Sequence, residues 1–578
     1  MTRNRLRNLA IFILTAIFFV PAALSEKKGA NDEATESQAA VIRQLDIFGS
    51  LYKELNALYV DTLNAKKNIE TAINAMLDGI DPYTEYINDD DQDDFMVIST
   101  GEYGGIGSYI MQRKSGGVFI SGPYAGSPAA RAGLKCGDRI IMIDSDSVAS
   151  WNQDRVSKRL KGQANTQISI TVNRPYTPDS IKTFTFTREK IKLNPVTYYG
   201  VTKDNVGYIA LNTYNEHSAE GVKKALLEFK AHPELKGVVL DLCGNGGGLV
   251  DEAIKILGFF LPKGTEVLTT KGRTTKDFKV YKTSEQPIMP DMPLAVLIDG
   301  GSASASEITA GALQDLDRAV IVGGRSYGKG LVQTTRPLPF NGLLKLTIAK
   351  YYIPSGRLIQ EIDYSQRNPD GTFKHKPDSL CNVFHTAHGR EVRDGGGITP
   401  DVKVTFPEVN RLVYNIVRDH WAFDYATKFA AEHPTIPPAG EFEITDEIFN
   451  DFKKFIDPSK FEYDKVCETG VSLLRKTAEN EGYMTDSVKT EFDKLEKMLK
   501  HNLDHDLDRN RKEICRQLSA EIVKRYYYEA GECQNDLKYH KAMDEVVKVL
   551  TTPGEYERIL NSGKSKTAKK ANAKNKGK

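Results

Sequence analysis

The chain has few cysteines, no strong net charge and only one long apolar run. Its 578 residues include six cysteines and no CxxC pair, so neither a disulfide-built scaffold nor a zinc ribbon is expected. A single apolar run excludes a polytopic membrane protein. The formal net charge of +1 argues against nucleic-acid binding driven by overall charge. With 40% hydrophobic and 27% charged residues, the chain is ordinary globular material, enough for about four domains.

The one apolar run lies at the N terminus and is typical of a secretory signal. Three arginines precede a twelve-residue apolar core, residues 9–20, and Pro21 and small residues follow it. We predict cleavage near Ser25, which makes residues 1–25 a signal peptide and the folded protein an exported one. The alternative is an uncleaved anchor, but twelve helical residues span only about 18 Å of the roughly 30 Å hydrocarbon core.

The C-terminal residues 561–578 contain seven lysines and no acidic residue. This composition predicts a solvated, disordered tail, with a polyanion-binding arm as the alternative. Because the signal carries +3 and the tail +7, residues 26–560 carry −9 and form a mildly acidic body. The tail is therefore the one segment that we expect to contact anionic envelope material, and no nucleic-acid partner is expected.

Apolar patterning divides the rest of the chain into four predicted regions. They are an N-terminal helical segment (38–96), a compact β-rich module (99–188), an α/β core (194–405) and a helical C-terminal domain (407–560). In the first region, apolar residues at helical spacing predict one buried helix face: Ile47, Leu51, Leu55 and Leu58. The apolar stripe in the last region is typical of a core or of a subunit interface, which leaves a homo-oligomer through the helical regions as one interpretation.

The α/β core is predicted from short, nearly continuous apolar runs at 207–211, 237–242, 294–298 and 319–322. Such runs are typical of strands buried on both faces of a mainly parallel sheet, and helical stretches lie between them. Glycine-containing loops follow three of these runs, at 241–249, 299–308 and 323–330. Active sites of α/β proteins form in such loops.

The third loop, 323–330, matches most of a phosphate-binding P-loop. Gly330 stands where a P-loop needs a serine or threonine for magnesium, and Pro337 and Pro339 follow where a long helix is required. A nucleotide site is therefore disfavoured.

The second loop suggests nucleophilic catalysis. Its serines, 302, 304 and 306, precede an alanine-rich stretch, and a helix N terminus offers backbone N–H groups to a developing oxyanion. Helix capping by a serine is the structural alternative. No GxSxG elbow is present, and the histidines at 217, 385 and 388 are more easily interpreted as structural. Lys329 is the better base, because a desolvated lysine can be neutral near pH 7.

The glycines around Ile106 let successive backbone N–H groups converge, as in a loop that captures a terminal carboxylate; a tight glycine turn is the alternative. With Ser127–Leu134 (SPAARAGL) and Gly137–Ile140 (GDRI) downstream, the module resembles a PDZ domain. The resemblance implies that a protein or peptide substrate adds its C-terminal tail as a strand. Its carboxylate would bind the backbone of Gly105, Ile106 and Gly107.

The second and third loops together resemble the C-terminal processing peptidases, or tail-specific proteases. In that family the middle serine of an SASAS run lies 25 residues before a lysine, and a glutamine follows four later; Ser304, Lys329 and Gln333 match both spacings. The resemblance spans about residues 45–405. It includes three further stretches: Asp81–Tyr83 (DPY), Tyr351–Gly356 (YYIPSG) and Gly395–Asp401 (GGGITPD).

The resemblance implies a ClpP/crotonase-like protease core with an inserted PDZ domain. Because the module lies between the N-terminal helical segment and the core in the chain, we expect it to gate access to the core. We expect the exported protein in a bacterial periplasm or cell envelope. Ser304 would be the nucleophile, Lys329 the general base and Gln333 the residue that positions the lysine amine. The Ala305 N–H and a glycine N–H, of Gly247 or Gly248, would form the oxyanion hole. No cofactor or metal is implied.

Several positions depart from the family, and some interpretations remain open. Cys243 and Gly246 replace an arginine and a proline of the first loop, which puts pre-organisation of the oxyanion hole in doubt, and Asp299 replaces a frequent asparagine. Asp315, a third catalytic member in some accounts, lies about 16 Å along a helix from Ser304 and is interpreted as structural. A non-catalytic tail-binding adaptor is the competing function, and one disulfide among three cysteines, at 467, 515 and 533, is an alternative to free thiols.

Overall fold

The computed structural model describes residues 30–367, 373–375, 377–405 and 410–564. The predicted signal peptide, residues 1–25, and most of the predicted tail lie outside the described residues. Residues 561–564 of that tail continue past the last helix, and Gly563 is buried against Gly389. These four residues are therefore ordered, and the prediction that the disordered tail starts at 561 is wrong. No helix in the described ranges combines the length and apolar character needed to cross a bilayer.

The chain divides into two compact units, with the boundary between Met76 and Leu77. The first unit is helical and consists of α1 (Ala30–Leu58) and most of α2 (Ala65–Asp78). The helix predicted from the apolar spacing is present, but its apolar face is not buried. Ile47, Leu51, Leu55 and Leu58 are each at least 40% exposed, so the prediction of a buried face is wrong for the single chain.

The second unit begins with β1 (Glu85–Ile87) and α3 (Gln92–Thr100) and continues into the β-rich module. The module's main sheet has the order β3-β4-β5-β7-β8, with β6 beside β5, while β2 pairs with β9. Alternate residues of β7 are buried in its core, as the alternating sequence pattern predicts. Its elements are β2 (Glu102–Gly105), β3 (Ser108–Gln112), β4 (Val118–Pro123), α4 (Pro128–Ala132), β5 (Arg139–Ile143), β6 (Asp146–Ser147), α5 (Gln153–Leu160), β7 (Gln167–Asn173), β8 (Ile181–Thr187) and β9 (Glu189–Lys192).

The α/β core is built on a sheet of order β10-β11-β12-β15-β16-β23, here called the parallel sheet because all neighbours except β10 and β11 run parallel. The four predicted strands are present in it as β11, β12, β15 and β16. Its elements and the helices between them are β10 (Val196–Val201), β11 (Val206–Leu211), α6 (Ser218–Lys230), β12 (Gly237–Asp241), α7 (Val250–Gly258), β13 (Glu266–Gly272), β14 (Lys279–Lys282), β15 (Leu294–Ile298), α8 (Ala305–Asp315) and β16 (Val320–Gly323).

A second sheet lies beside the parallel sheet and was not expected from the sequence. This antiparallel sheet has the order β1-β18-β13-β14, with β17 also paired to β18. The β1 strand reaches it from far upstream, with Glu85 opposite Lys345. The remaining strands of the core are β17 (Leu331–Pro337), β18 (Leu343–Tyr352), β19 (Ile362–Arg367), β20 (Phe373–His375), β21 (Val383–His385), β22 (Glu391–Arg393) and β23 (Val402–Lys403).

Different parts of the chain cover the two faces of the parallel sheet. The crossover helices α6, α7 and α8 bury one face, whereas helices from the end of the chain bury the other. The C-terminal region also has its own core, rich in phenylalanine. Its helices are α9 (Arg411–Arg418), α10 (Trp421–Glu432), α11 (Asp446–Phe455), α12 (Val466–Asn480), α13 (Asp486–Met498), α14 (Leu503–Arg509), α15 (Arg511–Asp536), α16 (Lys541–Thr551) and α17 (Glu555–Leu560).

Candidate active site

Ser304 is the residue that precedes α8, at the end of the loop that follows β15. Its backbone has φ 56° and ψ −113°, a conformation that costs a non-glycine residue about 1–3 kcal/mol. The side chain is nearly buried, with 9% of the residue exposed. Strain of this kind persists only where surrounding contacts hold it, and here those contacts come mainly from one carboxylate.

Glu307 is that carboxylate, fully buried one turn into α8. Its Oε2 accepts hydrogen bonds from the backbone N–H of Ser304 (2.9 Å) and of Lys329 (2.8 Å). Its Oε1 accepts from the Ser326 hydroxyl (2.6 Å) and the Gly328 N–H (2.7 Å). Burial raises the pKa of Glu307 to about 7, and the four hydrogen bonds oppose that rise. Glu307 therefore joins the loop of Ser304 to the loop of Lys329.

Tyr351 makes the second connection between these two loops. Its buried hydroxyl lies within hydrogen-bonding distance of the carbonyl oxygens of Ser304 (3.2 Å) and Lys329. Tyr351 belongs to β18, so the antiparallel sheet contributes directly to the position of both residues.

Lys329 lies between that sheet and the turn at residues 81–84. Its Nζ lies 4.2 Å from the centroid of the Tyr83 ring. Burial, and to a smaller extent the positive charge of Lys345, lower the pKa of Lys329 to about 8. Asp81 fixes the turn by accepting the Tyr83 and Thr84 N–H groups, each at 2.8 Å. The DPY stretch thus supplies an aromatic ring beside the lysine amine.

Hydrogen bonding within the three predicted catalytic residues is incomplete. In the part of the chain that the structure describes, no hydrogen bond joins Ser304 Oγ to Lys329 Nζ, which is common for catalytic pairs without substrate. Gln333 Nε2 donates to Thr347 Oγ1 (3.2 Å). The described hydrogen bonds include none between Gln333 and Lys329. The positioning role of Gln333 stays a prediction, and Tyr83 is the neighbour that the amine contacts.

The first loop approaches Ser304 closely at Gly247. A β-carbon on Gly247 would lie 2.8 Å from Ser304 Cβ and 2.9 Å from the Ala305 nitrogen, so only glycine fits there. The Gly247 N–H already donates to Asn245 Oδ1 at 2.9 Å. Neither the Ala305 N–H nor the Gly248 N–H donates a hydrogen bond within the described ranges. Of the two glycines predicted as alternatives, Gly248 is therefore the one with an uncommitted donor.

Asn245 and Asp299 hold this loop. Asn245 is fully buried, and its Nδ2 donates to the Leu211 carbonyl at 2.6 Å. The Asn245 carbonyl accepts from Ala303 N–H and from the Ser306 hydroxyl. Asp299 Oδ1 accepts from the Gly244 N–H at 2.8 Å, so the aspartate ties the first loop to the second. These bonds organise the loop although proline is replaced by Gly246.

Asp315 lies at the far end of α8, in a buried ion pair. Its Oδ1 lies 2.8 Å from Arg357 Nη2, with both side chains at most 1% exposed, and its Oδ2 accepts the Ser355 N–H. These partners agree with the structural interpretation of Asp315.

The alternatives left open by the sequence can now be compared with the structure. The P-loop interpretation is wrong, because β17 and not a helix follows Lys329. His217 contacts Glu102 and His388 contacts the Leu560 carbonyl, and neither belongs to a cluster of metal donors in the described residues. All six cysteines lie in described ranges and none forms a disulfide.

The glycine loop of the β-rich module lies between β2 and β3. Gly107 has φ +72°, and a β-carbon there would lie 2.5 Å from Ser127 Cβ. The carbonyls of Ile106 and Gly107 point back into the module and accept the N–H groups of Ala129 and Tyr124 at 2.9 Å each. Carbonyls that are bound internally leave the opposite side of the loop to N–H groups, as a carboxylate site requires.

Four residues of the site were not predicted from the sequence: Glu307, Tyr351, Tyr83 and Asn245. A signal existed for Glu307, because glutamate three residues after a serine is the spacing of a capping box. The other three lay in quoted sequence stretches, but only the fold shows what their side chains contact.

Comparisons with known proteins agree with this architecture. The family model "Peptidase family S41" matches residues 205–370, "PDZ domain" matches 119–174, and "Probable PDZ-protease, C-terminal helical domain" matches 412–550. A carboxy-terminal-processing protease of Bartonella bacilliformis is 36% identical over 355 residues, 61% of this chain and 80% of that protein. A probable CtpA-like serine protease of Staphylococcus aureus is 31% identical over 476 residues, which cover 81% of this chain and 91% of that protein. The solved structure of a photosystem II D1 C-terminal processing protease is 25% identical in sequence. The match covers 61% of this chain and 88% of that chain, with a TM-score of 0.34.

Proposed function

Because the chain belongs to the carboxy-terminal-processing serine peptidases of family S41, we propose that it is an exported endopeptidase. It cleaves protein or peptide substrates that have accessible C-terminal tails, with Ser304 as nucleophile and Lys329 as general base. One observation carries the assignment: a single oxygen of Glu307 accepts the N–H groups of both residues. Export is proposed from the signal-like residues 1–25.

The chemistry follows from the environment of each group. Neutral Lys329 takes the proton of the Ser304 hydroxyl as the Ser304 oxygen attacks the substrate carbonyl carbon. The negative charge that develops on the carbonyl oxygen is stabilised by the N–H groups of Ala305 and Gly248, at the N terminus of α8. Collapse breaks the C–N bond, Lys329 returns the proton to the leaving amine, and water then hydrolyses the acyl-enzyme by the same proton route.

Substrate selection is assigned to the β-rich module. We propose that it binds the C-terminal carboxylate of the substrate at Gly105, Ile106 and Gly107 and extends its sheet with the substrate tail. Support comes from the hydrogen bonds of this loop. The carbonyl groups of Ile106 and Gly107 accept hydrogen bonds from inside the module, which leaves the outer side of the loop to N–H groups.

The dyad is tested with Ser304→Ala and Lys329→Ala in the full-length protein. Both variants should lose cleavage of a tailed substrate by at least about 1,000-fold while still binding it, because removing a nucleophile or base leaves binding intact. Lys350→Ala, an exposed lysine on β18, is the matched control and should stay active. Retained cleavage by either dyad variant would contradict the assignment.

Tail recognition is tested separately. Gly107→Ala should abolish the preference for a free carboxylate over an amidated tail, because the new methyl group collides with Ser127. Gly116→Ala is the matched control, since its φ of +88° is equally unfavourable for alanine but nothing lies within 4 Å of the new atom. If both variants discriminate as the unmodified protein does, the carboxylate binds elsewhere.

A further inference from the structure

Three side chains of metal-binding type meet at the start of the first loop, and none of them belongs to the proposed dyad. Asp241 ends β12, Cys243 follows two residues later, and His540 precedes α16 in the C-terminal region. One donor atom from each lies within 4.8 Å of the other two. His540 Nε2 lies 3.6 Å from Asp241 Oδ2. The cluster therefore joins two parts of the chain almost 300 residues apart.

The donor set fits a zinc-like cation. Carboxylate, thiolate and imidazole are its ordinary ligands, and tetrahedral ligands about 2.0–2.3 Å from the metal stand about 3.3–3.8 Å apart. Small side-chain rotations would bring the three donors to that spacing. His540 Nδ1 is buried without a hydrogen-bond partner in the described chain, and Asp241 is only 8% exposed. A buried carboxylate beside an imidazole nitrogen is an environment that a cation would stabilise.

Neighbouring groups already orient the carboxylate. The Tyr208 hydroxyl donates to Asp241 Oδ2 at 2.6 Å, and the Cys243 N–H donates to Oδ1 at 2.8 Å. Such hydrogen bonds around a ligand are a regular feature of metal sites. Cys243 is also the position where the family resembled by the sequence has arginine, which would place a positive charge beside Asp241 permanently.

We propose that Asp241, Cys243 and His540 bind one zinc-like divalent transition metal ion, with the fourth position open to water. The ion fastens the start of α16 to the loop that carries Gly247 and Gly248. The sequence alone did not indicate this cluster, because His540 is so distant from Asp241 and Cys243 in the chain.

The test measures metal binding by the full-length protein after removal of metal with a chelator. Titration with Co²⁺ should give one equivalent bound, with a thiolate-to-cobalt charge-transfer band and the visible spectrum of a tetrahedral site. Zn²⁺ should displace the cobalt and raise the melting temperature, as any ligand of the native state does.

Variants identify the ligands. Cys243→Ser should abolish the charge-transfer band, and His540→Ala should weaken Zn²⁺ binding at least about 100-fold. Tyr208→Phe, which removes only a supporting hydrogen bond, should weaken it about 10–100-fold. Cys515→Ser and His501→Ala are the matched thiol and imidazole controls and should bind as the unmodified protein does.

The proposal is overturned if the unmodified protein binds no Co²⁺ or Zn²⁺. It is equally overturned if Cys515→Ser or His501→Ala removes binding, or if the charge-transfer band survives in Cys243→Ser. The cobalt spectrum is measured on unmodified protein, so it decides the question even if a variant fails to fold. None of these readouts depends on peptidase activity.

Discussion

Ser304 and Lys329 are held in contrasting ways. Ser304 has a strained backbone that buried hydrogen bonds from Glu307 and Tyr351 keep in place. The Lys329 side chain instead extends over the Tyr83 ring, and burial and the charge of Lys345 lower its pKa. The proposed nucleophile thus depends on fixed geometry, and the proposed base depends on its electrostatic environment. Changes to the contacts that hold Ser304 should reduce activity at every pH. Changes to the surroundings of Lys329 should shift the pH range in which the protein is active.

Among changes outside the proposed dyad, the largest effect is expected for Glu307→Gln. The amide keeps the shape but presents an NH₂ group to backbone donors, so both loops should shift and kcat/KM should fall at least about 100-fold across the pH range. The free energy of unfolding should fall by about 1–3 kcal/mol. Glu252→Gln is the control: Glu252 is also a buried carboxylate, but its hydrogen bonds in the described chain go to the Ala219 N–H and Lys255 and not to the loops of Ser304 and Lys329. Equal losses of activity in both variants would refute a specific role for Glu307.

Asp315→Ala should affect stability and spare the chemistry. Removing one partner of the buried Asp315–Arg357 pair leaves an unpaired charge, which costs about 3–5 kcal/mol. Chemical denaturation should show this loss, while kcat/KM of the folded fraction stays near that of the unmodified enzyme. A catalytic Asp315 would give the opposite result, a stable but inactive protein.

The pH dependence of kcat/KM tests Lys329. The base must be unprotonated, so activity should be lost as pH falls through about 8, tenfold per pH unit below it. Lys345→Gln removes a nearby positive charge, raises the pKa of Lys329 and should move this limb to higher pH. At pH 7 its kcat/KM should be about twofold to fivefold lower. Lys350→Gln is the control and should leave the pH dependence of kcat/KM unchanged. If Lys345→Gln also leaves it unchanged, a group other than Lys329 causes the loss of activity at low pH.

The smallest effect is expected for Gly246→Pro, which restores the proline of the related family. Nothing lies within 4 Å of a β-carbon at this position, and the Gly246 N–H donates no hydrogen bond within the described ranges. The variant should gain about 0.4–1 kcal/mol in stability, measured by thermal denaturation, with activity retained. A marked loss of activity would show that the loop must move during catalysis.

Much of the catalytic core could be predicted from local sequence. The strands β11, β12, β15 and β16 were found because burial on both faces requires continuous apolar runs. The antiparallel sheet was missed, since β1 pairs with a strand about 260 residues later and local patterning carries no record of such pairing. For α1 the sequence predicted burial that the structure does not show. Helical periodicity predicts an apolar face but does not say whether other residues cover it.

The sequence by itself determined the family, the parallel strands and the spacing of Ser304, Lys329 and Gln333, because these are encoded in short contiguous stretches. Only the tertiary structure decided which glycine N–H is uncommitted, that Tyr83 contacts the lysine amine, and that His540 meets Asp241 and Cys243. Each of these depends on side chains from distant segments. Their meeting is a product of packing, which no local pattern of residues specifies.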